Sequence, residues 1–480
     1  MKGVFILMIC TILACPATSQ NRKAVERMKD QAIQNITDAR DAYEAIAMKI
    51  WQFAEVGYKE ERSAALLQET LRSHGFRVTS GVAGIPTAFV AEYGSGMPTI
   101  GILAEYDALP GLSQMAVPER RPVKDSNAGH ACGHHLFGTA SVAAAIAIKD
   151  LIEQGKISGT VKLYGCPAEE GGSGKVYMVR AGLFEGLDAV IHWHPGDRNE
   201  VTLTSALANK SAKFRFYGIA AHAASAPDKG RSALDGVEAM NFMTNLMREH
   251  VPQDARMHYV ITHGGKAPNV VPDFAEVYYY VRHPDKQVVK ELFERVEAAA
   301  SGAAMGTGTK TDYEIIGGTH DLLINRTLAR VAQANLERVG GIQYNAEEIA
   351  FGRKIQETLT SKPDLMRAST VVPFDAERTE GIGSTDVGDV SYAVPTVGVR
   401  VATWVPGTPA HSWQAVACGG TSIGIKGMLV AAKTMALTAI DLYTQPQVLA
   451  EAKKEHTASI GDYVYQALLG NREPALGYRD

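Results

Sequence analysis

Histidine, cysteine and glutamate collect in four short stretches of this sequence, in loops that follow predicted strands. The first is Gly129-His130-Ala131-Cys132-Gly133-His134-His135. Cys132 and His134 are close enough to reach one metal ion, and the glycines let the backbone fold tightly around it. A histidine-rich surface loop is the alternative, and a cysteine set between glycines and histidines argues against it. The second stretch is Cys166-Pro167-Ala168-Glu169-Glu170-Gly171-Gly172. Adjacent carboxylates at a strand end divide labour: one ligates metal while the other takes a proton from bound water. Taken alone, a solvated acidic turn explains that stretch equally well. The third is Asp188-Ala189-Val190-Ile191-His192-Trp193-His194-Pro195. In an extended segment His192 and His194 face the same way, and the sequence leaves open which ligates and which packs. The fourth is Thr408-Pro409-Ala410-His411-Ser412-Trp413, just ahead of a long apolar run. Asp107, in Glu105-Tyr106-Asp107-Ala108-Leu109-Pro110, either orients a ligand or forms a turn before Pro110.

A mixture of thiol, imidazole and carboxylate suits zinc or manganese better than calcium or magnesium. It also gives Cys132 a reason to exist as a thiolate. No Gly-x-Ser-x-Gly elbow of a serine hydrolase is present.

The elements that must position these residues follow from periodicity. A helical pattern runs from about Ala24 to Phe76, broken near Gly57, with Gly75 as a stop. Strands are expected at Thr87–Tyr93, Thr99–Ala104, Thr160–Gly165 and Asp188–Trp193. Helices are expected from Phe137 to Gln154, over Val176–Ala181 and over Gly424–Leu442. Strands alternating with helices predict an α/β fold with a mostly parallel central sheet. Within it, Lys213–Tyr217, Ala233–Glu249, Met257–Thr262, Glu276–Val281, Gln287–Ala300 and Thr311–Ile316 read as β-α-β-β-α-β, a ferredoxin-like α+β module. The chain therefore divides into a leader (1–19), a catalytic domain in two parts (20–204 and 319–480) and an inserted domain (205–318).

The 480 residues exceed what one ordinary core organises. Hydrophobic content of 46% and charged content of 21% are those of a globular protein. A net charge of -4 gives no electrostatic reason to bind nucleic acid. At the N-terminus, Lys2 and an apolar run from Val4 to Leu13 suit a signal-peptide core and are short for a bilayer span. Ala17 and Ser19 stand at the positions that favour cleavage before Gln20. A lipoprotein signal ending at Cys15 is the second option, and membrane contact is expected only with that lipid. Both imply export. Beyond the leader only Cys132, Cys166 and Cys418 remain, an odd number that argues against a disulfide framework.

The stretches Gly129–Gly138, Gly165–Lys175 and Asp188–Pro195 together resemble the aminoacylase and hippurate-hydrolase family of metallopeptidases. The likeness runs over nearly all of the chain after the leader. It implies two divalent metal ions (zinc or manganese) held by Cys132, His134, Glu170, His194 and His411, with His194 chosen over His192. It implies Glu169 as general base and Asp107 as support for the metal centre. In the inserted domain it implies His222 as a stabiliser of the transition state, and Asn269 and Arg282 as substrate contacts. It further implies a homodimer formed through that domain. His135 departs from the Asn or Asp common in relatives, and Glu105 stands for an acidic partner usually written as Asp.

The activity so implied is hydrolysis of the amide bond of N-acyl or aminobenzoyl amino acids by metal-activated water, the metals being bridged by Cys132 or by water. A dipeptidase or carboxypeptidase of the same family is the nearest alternative. A non-catalytic exported metal- or ligand-binding protein is the other, and it would have no need of Glu169.

Overall fold

Seven strands form one sheet because their apolar runs are covered on both faces by helices. The protein is represented by a computed structural model that describes residues 16–375, 381 and 383–479, with only the backbone of 16–21. The leader's apolar run and its cysteines, Cys10 and Cys15, lie outside the described residues. The strands of the large sheet are β1 (Arg77–Ser80), β2 (Phe89–Ser95), β3 (Thr99–Glu105), β6 (Gly159–Cys166), β7 (Ala189–Gly196), β8 (Glu200–Val201) and β13 (Thr396–Ala402). A small ribbon pairs β4 (Leu109–Pro110) with β5 (Ala128–Gly129). The order across the large sheet is β1-β2-β6-β3-β7-β13-β8. Its central strands β6, β3, β7 and β13 are mutually parallel, and both edges are antiparallel. Every residue of β3 is buried, as expected for a parallel strand with helices on both sides.

The expected helical stretch at the start is three helices: α1 (Pro16–Asp38), α2 (Arg40–Phe53) and α3 (Glu61–Ser73). Gly57 lies in the second break, where an added Cβ would meet the Tyr478 hydroxyl at 2.3 Å. Two long apolar helices, α4 (His134–Glu153) and α12 (Ser422–Thr444), pack together inside the protein. Both are long and apolar enough to cross a membrane, yet 89% of each apolar stretch is buried in the fold. The other helices of this layer are α5 (Gly174–Arg180), α8 (Arg326–Val339), α9 (Ala346–Glu357), α10 (Val387–Ala393), α11 (Trp413–Gly419) and α13 (Pro446–Ile460).

The inserted module contains β9 (Ala208–Tyr217), α6 (Ala233–Met247), β10 (Arg256–His263), β11 (Phe274–His283), α7 (Lys286–Thr307) and β12 (Lys310–Thr319). Its sheet order is β10-β11-β9-β12 with every pairing antiparallel, the ferredoxin-like arrangement. It has its own core, in which Phe214, Phe216, Val237, Val277 and Phe293 meet. β9 begins five residues before the expected Lys213. The leading residues Asn209, Lys210 and Ser211 carry no apolar signal, although Ala208 and Ala212 face the core. At the base of the module the Ser205 hydroxyl donates to the Leu322 carbonyl at 2.9 Å, tying the entering chain to the leaving one.

Helix α1 is fastened to α12 and α8 by charge. Lys29 Nζ donates to Asp441 Oδ2 at 2.6 Å and to Asn335 Oδ1 at 2.9 Å, and both charged side chains are more than nine-tenths buried. Removing Lys29 leaves Asp441 buried without a cation. Lys29→Met should therefore lower unfolding stability by about 3 kcal/mol in urea titration, and Lys29→Met with Asp441→Leu should recover most of the loss. Equal losses in the single and double variants would show that the pair contributes nothing.

Candidate active site

The reactive side chains stand at the carboxyl ends of the parallel strands, where open α/β sheets bind ligands. Glu105 ends β3, and Asp107 follows it. Cys166 ends β6 and leads into the Glu169-Glu170 loop. His194 is near the end of β7, and His411 follows β13. His134 is the first residue of α4, directly after Gly133, whose φ of +79° and 2.8 Å approach to the Pro195 ring leave no room for a side chain. Ala168 and His411 hold left-handed conformations at φ 56° and 57°, strain of the kind that collects where a site must be shaped. The His411 N–H donates to the Ala131 carbonyl at 3.0 Å, which locks the last loop to the first.

These loops bring two sets of ligand atoms together, and both sets contain Cys132. The atoms of Cys132, His134 and His194 lie within 4.8 Å of one another, as do those of Cys132, Glu170 and His411. Cys132 Sγ is 3.4 Å from His194 Nε2, and His411 Nε2 is 3.1 Å from Glu170 Oε1. A third set, Glu105, His134 and Glu169, adjoins them. Glu105 Oε2, His134 Nε2 and Glu170 Oε1 are buried with no hydrogen-bond partner among the described residues. Burial holds His194 neutral, with a pKa lowered to about 3, so its lone pair is available. Burial and the nearby Glu170 push the Cys132 thiol up, so a thiolate there requires a cation. The donor set therefore fits a pair of divalent transition-metal ions.

A layer of partners orients the ligands. Asp107 Oδ1 is 2.8 Å from His134 Nδ1, and Asp107 Oδ2 accepts the Glu170 N–H at 2.8 Å, so one carboxylate aims two ligands. Lys175, wholly buried, bridges Glu105 at 2.6 Å and Asp386 at 2.7 Å. Glu60 Oε1 accepts the Ala168 N–H at 2.8 Å. From the far end of the chain, Arg479 Nη2 and the Tyr478 hydroxyl donate to the Glu170 carbonyl at 2.7 and 3.2 Å. Glu169 makes no ion pair with Lys175. Burial pushes its carboxyl well above the usual range, and the carboxylates of Glu105, Glu170 and Asp386 push it the same way. That is the environment of a group that accepts a proton near neutrality.

Other expected residues are elsewhere. His192 is buried across from Gly398, where any side chain would meet its ring at 2.3 Å, and it joins neither cysteine-containing set. His222 and Asn269 adjoin one another at the far end of the inserted sheet, joined by the Ala223 N–H to Asn269 carbonyl bond of 3.0 Å. His222 Nδ1 accepts two backbone N–H groups, from Ala224 and Ser225, which leaves the Nε2–H facing outward from an exposed ring. Arg282 is at the other end of that sheet, opposite Asn209. From Phe274 to Arg282 is eight residues of strand, roughly 26 Å. One module therefore cannot present His222 and Arg282 to the same small site.

The cluster opens into a cavity of about 560 Å³ that reaches Cys132, Glu169, Glu170, His194 and His411. Lys175, Asp386, Glu60, Tyr478 and Arg479 escape sequence reasoning. Lys175 carries the one local signal, a lysine inside an apolar helix start. Arg479 is 309 residues from the loop it braces, and no local pattern announces it.

A peptidase dimerisation domain model matches residues 208–306. One of the two chains of p-aminobenzoyl-glutamate hydrolase from Escherichia coli K12 is 43% identical over 90% of this chain and 95% of its own length. The Xaa-Arg dipeptidase of Mus musculus is 30% identical over 92% of this chain and 94% of its own. Among solved structures, an aminobenzoyl-glutamate utilization protein from Klebsiella pneumoniae aligns with a TM-score of 0.61 and 18% identity, covering 86% of this chain and 98% of that one. A dinuclear metal-binding M20 peptidase from Bacillus subtilis aligns with a TM-score of 0.55 and 18% identity, covering 85% and 99%. An α/β catalytic domain with a ferredoxin-like insertion and metal ligands at its strand ends defines a metal-dependent hydrolase of amide bonds. The chain belongs to the M20 family of amidohydrolases and peptidases.

Asp107→Ala frees both His134 and the Glu170 loop while leaving every ligand atom in place. Metal affinity measured by competition with a chromogenic chelator should fall roughly 10- to 100-fold. An unchanged affinity would remove Asp107 from the metal centre.

Proposed function

We propose that this chain hydrolyses the amide bond of N-acyl or aminobenzoyl amino acids, with Cys132, His134, Glu170, His194 and His411 holding two zinc or manganese ions and Glu169 as general base. The observation that carries the proposal is the pair of ligand sets sharing Cys132, with the uncoordinated carboxyl of Glu169 beside them. Two divalent ions bound there supply Lewis acidity, lowering the pKa of a water toward neutrality and polarising the scissile carbonyl. Glu169 takes the proton of the attacking water and later delivers it to the leaving amine. Asp107 keeps His134 and the Glu170 loop in place through both transfers. His222, its tautomer fixed by two backbone donors, offers Nε2–H to the developing oxyanion.

His222 reaches the site of a second copy of the chain in this scheme. The inserted module supports a homodimer: Phe242 and Leu246 on α6 and Val260 on the edge strand β10 are each more than half exposed. An unpaired apolar strand edge flanked by an apolar helix face invites a second copy. The dipeptidase alternative is favoured by the mouse Xaa-Arg dipeptidase, which matches almost the full chain. Paired substrates with free and acylated α-amino groups separate the two. We place the protein outside the cytoplasm on the strength of the leader, with a membrane anchor only if Cys15 is lipidated. Mass spectrometry of the mature N-terminus distinguishes a start at Gln20 from a lipidated Cys15.

Glu169→Gln should retain two metal ions per chain and lose roughly 100- to 10,000-fold in kcat on N-acyl amino acids. Wild-type turnover by that variant would sink the assignment of the base. A mixture of Glu169→Gln and His222→Ala chains, each nearly inactive, should regain about a quarter of wild-type activity, because half of random dimers carry one competent site. No recovery on mixing would confine His222 to its own protomer.

A further inference from the structure

One row of side chains beside the metal ligands is unused by this mechanism. His194 on β7 is in register with Arg400 on the parallel strand β13, and Arg400 is in register with Glu200 on β8. Residues directly opposed in a sheet point to the same face, with neighbouring strands about 4.8 Å apart. Arg400 therefore stands next to a metal ligand, on the side of the sheet from which His194 enters the cavity, and both line that cavity. Its stem lies over Gly196, where an added Cβ would be 2.6 Å from Arg400 Cγ and 2.7 Å from Cδ. The glycine makes the seat in which this side chain rests.

The charges in the row do not balance. Glu200 Oε1 is 3.0 Å from Arg198 Nε and 4.0 Å from Arg400 Nε, so one carboxylate faces two guanidinium groups. Among the described residues, Arg400 makes no side-chain hydrogen bond, and Arg198 makes only the one from Nε. The terminal nitrogens of both, on side chains 40% and 44% exposed, are free to act as planar forks for an anion. The adjoining wall is apolar, formed by Val201, Leu203, Leu322, Val372 and Phe374.

We propose that Arg400, assisted by Arg198, recognises a carboxylate of the substrate's amino-acid portion, so that the preferred amides join an apolar acyl group to an acid. This assignment rests on the amidohydrolase reading above and adds the residue that sets its selectivity. Glu200 is then a competitor that holds the two guanidinium groups apart from one another and moderates their grip on the ligand. Arg282, at the end of the inserted sheet, is not needed for this contact.

The test compares metal-loaded wild type, Arg400→Gln, Arg400→Lys and Glu200→Gln on benzoylglycine, benzoylglutamate and benzoylglycinamide. Arg400→Gln should raise KM for the acids roughly 10- to 100-fold, the worth of a charge-assisted contact, with a much smaller change in kcat. Arg400→Lys should recover part of the loss, and Glu200→Gln should lower KM for the acids. The preference of the enzyme for benzoylglycine over its amide should shrink with Arg400→Gln. Equal losses for both acids identify the α-carboxylate as the group bound. A loss confined to benzoylglutamate identifies the side-chain carboxylate. Equal losses on acid and amide, or none on either, would overturn the assignment. Calorimetric binding of benzoylglycine and benzoylglycinamide to metal-loaded Glu169→Gln, with and without Arg400→Gln, reads the same preference without turnover. A wild type that cleaves none of the three while still discriminating acid from amide through Arg400 would refute the activity and keep this contact.

Discussion

An excess of buried negative charge at the strand ends governs this structure. Glu105, Asp107, Glu169, Glu170 and the thiol of Cys132 converge where the parallel strands stop, and Asp386 adds a further carboxylate. Lys175 answers only Glu105 and Asp386. Charges taken out of water are tolerated only when paired or bound to metal. Cations placed against Cys132 meet that demand, and in doing so they become the Lewis acids the chemistry uses. The ligands are satisfied by metal, and Glu169, left over, is kept basic by its crowding.

Holding such a cluster calls for rigid supports from distant parts of the chain. The left-handed turns at Ala168 and His411 aim their neighbours, and Gly133 and Gly57 vacate the space that the loops occupy. Asp107 spans two ligands. Glu60 grips the backbone just ahead of Glu169, and Tyr478 and Arg479 grip it just behind. The same C-terminal stretch places Leu468 in the core of the inserted module and Leu469 in the core of the catalytic domain. Arg472 bonds the Ile316 carbonyl of β12 at 2.7 Å on the way. The inserted module and the Glu170 loop thus share one mechanical element.

Much of this arrangement is legible in the sequence because ligands at strand ends cluster by type. Cys132, His134, Glu169, Glu170, His194 and His411 all fall in stretches where chemistry-bearing residues follow an apolar run. The β-α-β-β-α-β order of the insertion is likewise written in alternating patterns. What stays hidden is whatever depends on contacts between distant segments. His192 and His194 share a strand face, and only the approach of Gly398 on the next strand separates their surroundings. The bond from Arg479 to the Glu170 carbonyl, and the row of Glu200, Arg400 and His194, arise from strand order and register, which composition does not encode. The early helical pattern resolved into three helices because periodicity marks an apolar face and says little about where a helix pauses.

The shared thiolate is the central claim, and cobalt substitution tests it most directly. With Co(II) loaded in place of the native ions, the protein should bind two ions per chain and show a near-ultraviolet sulfur-to-cobalt charge-transfer band. In Cys132→Ser that band should vanish and the stoichiometry should fall below two. Two tightly bound ions in the wild type without a sulfur-to-cobalt band would contradict the account.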